Sequence, residues 1–336
     1  MRYSQIWQNK ELPMLFITRL CLPLFTAWVV LSFPTPSPVC SEQRKPANPS
    51  AVRVLSFPDD FSVGKVYIMK ADWRPEYPFS TARPIVAKGK IVINGEVPLT
   101  LDFNPERTIT PEQITNIPAK EFVCLRLDRK PFDDNIIKLV NQFRCVWRLE
   151  LNRQYITDKG LLMLGPLENL QAFRCDYCSI RGPGLASLAK YRKLRQLIVS
   201  YGTIDSNQLG SLATLQSVRD LSMRGAKLDD TALSNIGKMM SLERLNISGS
   251  PKVTDAGLKH LTRLRHLRYI DLAGCKVTAN GLLVLKGLPL RQVDVLNVQV
   301  SAKDVERLRK DFPRVNIQLI KPQDKTDLIK LFAPLR

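Results

Sequence analysis

The stretch VTDAGLKHLTRLRHLRYIDLAGCKV, residues 253–277, decides the fold. Thr254 is a residue type that accepts hydrogen bonds from the free N–H groups of a first helical turn. Four leucines then follow at three-residue intervals, which predicts a helix with one buried side; they are Leu258, Leu261, Leu264 and Leu267. Ile270-Asp-Leu272 alternates apolar and polar residues, as a short strand with one buried face does. The stretch therefore predicts a helix followed by a strand.

The same pattern recurs along the chain with a period of 24 residues. Successive units begin at Leu125, Leu149, Phe173, Leu197, Leu221, Leu245, Ile270 and Val293. The eighth position of a unit is apolar, and a helix-start residue follows it at Thr157, Asp229, Thr254, Thr278 and Ser301. A weaker unit is placed at Leu101, and a last strand at 317–319. Repeats of this length indicate a stacked array, so we predict a continuous right-handed α/β solenoid with parallel strands.

Two kinds of phrase in these units carry a family resemblance. LxxLxLxx(N/C)xL appears at 170–180, with Cys175 and Cys178, and at 267–277, with Cys275. The helix phrase ITDKGL appears at 156–161. The units resemble leucine-rich repeats of the ribonuclease-inhibitor and cysteine-containing classes. They are especially similar to the ITDAGLxxL repeats of exported bacterial proteins abundant in planctomycetes. The resemblance covers about 101–320 and implies a horseshoe with strands on the concave face and helices outside.

The expected domain order follows from where the repeat begins and ends. Residues 101–320 form the solenoid of about nine 24-residue units, and 321–336 form a C-terminal cap with a short apolar helix at 327–332. A solenoid leaves apolar faces open at its ends, which require caps. Residues 53–100 are predicted to be a small N-terminal β cap, in which Asn94-Gly95 between two alternating runs predicts a hairpin. Thr110-Pro111-Glu112 is expected to start the helix of the first unit.

The N-terminal residues 1–41 read as an export signal or a membrane anchor. Arg2, Lys10 and Arg19 precede a short apolar run, residues 20–33, and a proline-rich exit follows. That order is typical of a signal peptide, with cleavage after Ser41. An uncleaved anchor, a buried helix and a translation start at Met14 are the alternatives. Residues 42–52 are a linker. The expected location is extracytoplasmic, either secreted or associated with the envelope.

No residue pattern supports catalysis, metal binding or a cofactor. The chain has only two histidines, and we find no glycine-rich phosphate loop, HExxH or GxSxG. The seven cysteines have no disulfide-framework spacing. Cys175 and Cys178 form a CxxC, but no second ligand pair accompanies it, and the repeat assigns both to the turn after a strand. We therefore expect neither an enzyme nor a cofactor protein.

The residues expected to bind a partner lie where strand side chains point away from the core. In the implied architecture these are the residue before each unit and its positions two, four and five, which project into the concave trough. Position five reads Arg129, Arg153, Tyr177, Tyr201, and then glycine in three units. Arginine and tyrosine dominate protein interfaces. The candidate contact residues are Arg126, Arg129, Arg153, Arg174, Tyr177 and Tyr201. The alternative is that these residues form solvated ladders with no partner.

The net charge of +19 bears on the kind of partner. Trough arginines are matched by acids, so most positive charge is expected on the convex side and the flanks, at residues such as Lys259, Arg263 and Arg265. The leading hypothesis is an exported scaffold that binds a protein through its concave face. The main alternative is attachment to an anionic polymer or membrane surface through the basic convex face. An intracellular adaptor is a third candidate, and nucleic acid is disfavoured because aromatic residues do not interleave with the basic ones.

Overall fold

The computed structural model describes residues 50–69, 84–107, 109, 116–128, 130–295 and 302–318. The strands of these residues are β1 (Val52–Ser56), β2 (Gly64–Ile68), β3 (Ile85–Val86), β4 (Lys90–Asn94), β5 (Leu99–Phe103), β6 (Phe122–Leu127), β7 (Arg148–Leu151), β8 (Ala172–Arg174), β9 (Gln196–Ile198), β10 (Asp220–Ser222), β11 (Arg244–Asn246), β12 (Tyr269–Asp271), β13 (Gln292–Asp294) and β14 (Asn316–Gln318). The predicted strand at each unit start is therefore present.

Strands β5 to β14 pair in sequence order within one sheet of the described residues. All neighbours in this run are parallel, and the first position of each unit pairs with the first position of the next, as Leu149 does with Phe173 and Leu245 with Ile270. The weaker unit is also in register, because Leu101 pairs with Leu125. The prediction of one α/β solenoid with parallel strands is confirmed. Loss of water contact by the apolar side chains drives the stacking, and Leu149, Leu197 and Leu245 are fully buried.

Short helices connect the strands. The α-helices are α1 (Ile137–Val140), α2 (Asp158–Met163), α3 (Asp230–Ile236), α4 (Asp255–Leu258), α5 (Ala279–Leu283) and α6 (Ala302–Asp311). The 3₁₀ segments are Ala119–Glu121, Asp134–Ile136, Pro183–Lys190, Ser206–Thr214, Lys259–Arg263 and Val284–Gly287. The three-residue spacing of leucines explains the 3₁₀ segments, because a 3₁₀ helix has three residues per turn and aligns every third side chain. Leu209 and Leu212 are buried in this way.

The predicted helix-start residues cap the helices. Thr157 accepts from the N–H of Lys159, and Thr254 accepts from that of Ala256. Asp229 and Thr278 do the same for α3 and α5. Ser301 lies outside the described residues. These hydrogen bonds satisfy donors that the first helical turn leaves without a backbone partner. The cap predictions for these four residues are confirmed.

A contact between units accounts for the TDxG order of the helix phrase. The carboxylate of Asp230 accepts from the backbone N–H and the hydroxyl of Thr254 in the next unit, at 2.8 and 2.6 Å. The carboxylate fills the space beside Gly257, where an added Cβ would lie 2.3 Å from Asp230 Oδ1. Ser206 occupies the position equivalent to Asp230 in its own unit, so no carboxylate contacts the following unit there. That unit has Ala232 at the position equivalent to Gly257. Aspartate in one unit therefore requires glycine in the next.

The N-terminal part differs from the hairpin prediction. Strand β4 pairs antiparallel with β1 in a separate two-stranded sheet, whereas β5 pairs with β2 and β6. Asn94-Gly95 therefore does not join two paired strands, and the hairpin prediction is wrong. Every residue of β5 is buried, so this strand needs neighbours on both edges and cover on both faces, and the larger sheet supplies them. Gly95 instead donates its N–H to Ala51 O at 2.6 Å.

Several sequence predictions lie outside the described residues. These are the signal or anchor in residues 1–41, the linker up to residue 49, the helix start at residues 110–112 and the C-terminal cap from residue 321. Among the residues that the structure describes, no helix is both long enough and apolar enough to cross a membrane.

Candidate functional site

Position five of the units has a left-handed backbone. The φ angles are 58° at Arg153, 56° at Tyr177 and 59° at Tyr201. The glycines at this position, Gly225, Gly249 and Gly274, also have positive φ. Glycine adopts this conformation without steric cost, whereas a side chain costs roughly 1–2 kcal/mol. Three consecutive units thus keep large side chains where glycine is the relaxed residue, which is typical of functional sites.

The two tyrosines of this row form a stacked pair. Their ring centroids are 4.5 Å apart and the planes differ by 6°, close to the spacing between the strands that hold them. Tyr177 is 53% exposed and Tyr201 is 38% exposed. The ring of Tyr201 also covers Gly225, where an added Cβ would lie 2.8 Å from its Cδ1. Burial raises the pKa of Tyr201, and Arg224 partly opposes that rise. The pair forms an aromatic surface on the face of the sheet that points away from the core.

An arginine lies at each end of the tyrosine pair. Arg153 Cζ is 5.9 Å from the ring centroid of Tyr177, and Arg224 Cζ is 5.6 Å from that of Tyr201. Both arginines are exposed. Within the described residues, neither guanidinium has a carboxylate oxygen within 4.0 Å. The tyrosine pair is therefore flanked by two cations whose charge is not matched by a contacting acid of the described residues.

The other arginines of the same face are paired with acids. Arg174 contacts Asp176 through Nε and Nη2, both at 2.6 Å. Arg126 pairs with Asp128, and its Nε lies 3.8 Å from Glu150 Oε2. Arg148 Nη2 is 2.5 Å from Glu150 Oε1, and both of these side chains are buried. The predicted matching of trough arginines by acids holds for these pairs but not for Arg153 and Arg224.

These residues surround a cavity of about 610 Å³ on the face of β6 to β12 that points away from the core, and we call it the strand-face cavity. It is lined by Arg126, Asp128, Arg148, Glu150, Asn152, Arg153, Arg174, Asp176, Tyr177, Gln196, Ile198, Ser200, Tyr201, Asp220, Ser222, Arg224, Arg244, Asn246 and Tyr269. Six of these residues are arginines and four are acids, so the lining has a formal charge of +2. Because the arginines of the trough are matched by acids in sequence, the trough as a whole was expected to be nearly neutral. The structure separates the charge, because Asp271 and Asp294 do not line the cavity.

Of the six candidate contact residues, five line the strand-face cavity: Arg126, Arg153, Arg174, Tyr177 and Tyr201. Arg129 lies outside the described residues. Arg224, which was not among the six, extends the position-five row because it lies against the ring of Tyr201. Its position-four location placed it on the trough face, but the sequence offered no sign that it would extend over the ring of the preceding unit.

Some positions expected to project into the trough are buried instead. Asn152 accepts from the N–H of Asp176 at 3.2 Å, and Asp176 accepts from that of Ser200 at 3.0 Å. All three side chains are under 9% exposed. Position four in these units therefore forms a ladder of hydrogen bonds between units and leaves position five as the exposed row.

The acids of the C-terminal units are hydrogen-bonded within the fold. Asp271 accepts from Asn246 Nδ2 at 2.9 Å, and Asp294 accepts from the hydroxyl of Tyr269 at 2.8 Å. Burial raises the pKa of both carboxyls. Their lone pairs are engaged in these contacts, so this end of the face has fewer groups free to meet a partner.

The cysteines are placed for packing. Cys178 Sγ donates to Leu151 O at 2.9 Å, and Cys275 Sγ donates to Ile247 O at 3.6 Å. Burial raises the pKa of Cys275 to about 12 and that of Cys175 well above its usual value. A protonated, buried thiol is a poor nucleophile and a poor metal ligand. No group of three or more metal-ligating side chains occurs among the described residues.

Cys145 differs from the other cysteines of the described residues. Cys145 is disulfide-bonded, whereas Cys124, Cys175, Cys178 and Cys275, which are the other cysteines of the described residues, are free and buried.

Comparison with known proteins identifies the repeat. Residues 263–286 match the family model described as Leucine Rich repeat. No curated protein matches the chain. Among solved structures, the chain is similar to an internalin (InlF) from Listeria monocytogenes, with 14% identity, 67% of this chain and 82% of that chain covered, and a TM-score of 0.41. It is also similar to an internalin C2 from the same organism, with 16% identity, coverage of 63% and 84%, and a TM-score of 0.42.

Proposed function

This chain is a leucine-rich-repeat protein, and we therefore propose that it is an exported scaffold for a protein partner. The partner binds to the strand face that points away from the core. The observation that carries the proposal is the exposed row of Arg153, Tyr177 and Tyr201. None of the three side chains belongs to the core, and all three hold a backbone conformation that favours glycine. A scaffold role assigns the chain no catalytic activity.

The chemistry of the row fits a protein partner. Tyrosine offers rigid apolar area with a polar tip, and arginine offers several planar donors. Residues of these two kinds are enriched among those that contribute about 2 kcal/mol or more to an interface. The strand-face cavity around them lets a partner cover them from water, which is the condition for such contributions.

Replacing Tyr177 and Tyr201 by glycine is expected to weaken partner binding at least about tenfold, because two interface anchors are lost. Thermal stability should stay almost unchanged. The lost stacking, worth about 0.5–1.5 kcal/mol, is offset by relief of the left-handed strain. Glycine is the matched replacement because the chain itself uses it at Gly225, Gly249 and Gly274. The measurement is affinity capture from the native cell envelope, followed by titration of the captured protein.

The control for this experiment changes the basic residues Lys259, Arg263 and Arg265 to glutamine. These side chains are exposed outside the strand-face cavity. Capture that survives in the control but not in the tyrosine variant supports the proposal. If the control variant loses the captured material and the tyrosine variant keeps it, the chain attaches to an anionic surface through its basic residues, and binding by the strand face is wrong. Steep loss of capture with added salt accompanies that second outcome.

Export is supported by the apolar N-terminal run and the basic residues that precede it. We predict that the native protein lies outside the cytoplasm and begins near residue 42, so mass spectrometry should find no peptide from residues 14–33. A native mass that includes Met1 would contradict cleavage. Cys21 and Cys40, the cysteines outside the described residues, both precede residue 42, so cleavage after Ser41 and a disulfide of Cys145 within one chain exclude each other. Non-reducing peptide mapping distinguishes the two. A peptide that joins Cys145 to Cys40 would place the cleavage before Cys40.

A further inference from the structure

The strand-face cavity holds two cations that no acid of the described residues contacts. Arg153 and Arg224 flank the tyrosine pair, and among the residues that the structure describes they contact no other aromatic ring. Arg224 also acts on the carboxyl of Asp271 from beyond ion-pair distance. The other arginines that line the cavity are engaged: Arg126, Arg148, Arg174 and Arg244 each have a carboxylate within 4.0 Å. The positive charge available to a partner is therefore concentrated at two points.

The distance between these two points is limited by the stack. The path from Arg153 to Arg224 crosses steps of 5.9, 4.5 and 5.6 Å, so the two Cζ atoms are no more than about 16 Å apart. Strand spacing gives a similar figure, because three units at about 4.8 Å span roughly 14 Å. In an extended peptide, residues i and i+4 lie on the same face and are about 14 Å apart.

We propose that the strand-face cavity binds an extended acidic segment of the protein partner, with two carboxylates four residues apart that pair with Arg153 and Arg224. The tyrosine pair lies between the two pairing points and contacts the residues between the acids. This inference rests on the proposed protein-binding function and specifies the chemistry of the partner.

The occupied faces of the tyrosines argue against other anionic partners. One face of Tyr177 stacks on Tyr201, and Arg153 lies near that ring. Tyr201 in turn covers Gly225. A base of a nucleic acid would need a free aromatic face to stack on. A single small anion cannot meet both guanidiniums, since the two points are separated by several times its diameter. Two separated carboxylates on one extended chain satisfy both points together.

The test uses three synthetic serine–glycine peptides and isothermal titration. The first carries glutamate at its third and seventh positions, the second carries glutamine at the same positions, and the third carries glutamate at the third and sixth positions. In an extended chain the third peptide presents its acids on opposite faces. We expect each well-placed pair to contribute about fivefold, so the first peptide should bind about 25-fold more tightly than the glutamine peptide. The third peptide should lose about fivefold.

Variants of the protein complete the test. Arg153→Gln and Arg224→Gln should each weaken binding of the first peptide about fivefold, and the double variant about 25-fold. Arg219→Gln is the matched control, because Arg219 is an exposed arginine outside the cavity lining that pairs with Glu243. It should bind the peptide as the unchanged protein does. Equal binding of the glutamate and glutamine peptides, or equal losses in Arg219→Gln, would overturn the proposal.

The outcomes separate this inference from the function on which it rests. If the tyrosine variants release the captured partner and the double arginine variant retains it, the scaffold proposal stands and the acidic segment is wrong. If the arginine variants lose the peptide while the tyrosine variants still capture the partner, the partner binds elsewhere and the proposed function is wrong. Inorganic phosphate and heparin serve as competitors. If heparin binds equally well to the double arginine variant, it binds basic residues outside the cavity, such as Lys259, Arg263 and Arg265, and not the cavity itself.

Discussion

Replacing Arg148 by alanine is expected to lower the free energy of unfolding by about 3 kcal/mol, because it leaves a buried carboxylate without its cation. Arg148 and Glu150 are 5% and 3% exposed, and their side chains meet at 2.5–2.6 Å. Arg148 also donates to Gln196 Oε1 at 3.2 Å. Arg126, whose Nε is 3.8 Å from Glu150, compensates in part, which keeps the loss at the lower end for a broken buried pair. Urea unfolding gives the measurement.

Two comparisons sharpen the Arg148 prediction. Arg219→Ala removes an exposed ion pair with Glu243, with side chains 53% and 37% exposed, and should cost less than about 1 kcal/mol. Replacing Arg148 by methionine together with Glu150 by leucine removes both charges, so it should cost less than Arg148→Ala alone. A loss in Arg148→Ala as small as that in Arg219→Ala would show that Glu150 is not held by this arginine.

Replacing Gly257 by alanine is expected to cost about 2 kcal/mol, because the new Cβ displaces the carboxylate of Asp230. The Cβ would lie 2.3 Å from Asp230 Oδ1, an oxygen that already accepts from Thr254 in the following unit. Moving the carboxylate breaks both hydrogen bonds to Thr254, and no strained φ is involved, since Gly257 lies inside α4. Urea unfolding again measures the change.

The double variant Asp230→Ala with Gly257→Ala tests the cause. Asp230→Ala alone should cost about 1–2 kcal/mol through its two lost hydrogen bonds. With the carboxylate gone, the tight contact that remains for alanine at position 257 is with the flexible side chain of Leu233, whose Cδ2 is 3.0 Å away and can shift. Alanine is also a better helix former than glycine by about 1 kcal/mol. The double variant should therefore be no less stable than Asp230→Ala alone, as the natural pairing of Ser206 with Ala232 suggests. If the two single losses simply add, the carboxylate and the glycine do not interact.

The C-terminal units offer a contrast with the binding row. There position five is glycine in three units, at Gly225, Gly249 and Gly274. The acids Asp271 and Asp294 are hydrogen-bonded to Asn246 and Tyr269. In the N-terminal units position five carries Arg153, Tyr177 and Tyr201. The two parts of the strand face therefore differ at position five: one part has glycine, and the other has an exposed tyrosine pair flanked by two arginines that no acid of the described residues contacts. We place the partner at the second.

The repeat, the register and the caps could be predicted from the sequence, because the helix and strand patterns depend on residues a few positions apart and the repeat length aligns them. The apolar alternation at Leu149 and the cap at Thr254 are local patterns, and 24-residue spacing brings equal positions together. The hairpin at Asn94-Gly95 failed because the partner of a strand is chosen by burial over the whole sheet. Local pattern also left open whether the leucines would lie on α or 3₁₀ turns.

Features that depend on contact between units could be identified only once the units were seen stacked. The aspartate at position 230 and the glycine at position 257 are 27 residues apart, and their mutual requirement appears only when the units stack. The left-handed backbone at position five, and the burial of position four beneath it, separate Tyr177 from Asp176 although they are neighbours in sequence. Arg224 joins the row because its side chain reaches across to the ring of the preceding unit. Charge matching likewise depends on distance, so counting acids and arginines could not reveal that Arg153 and Arg224 have none in contact.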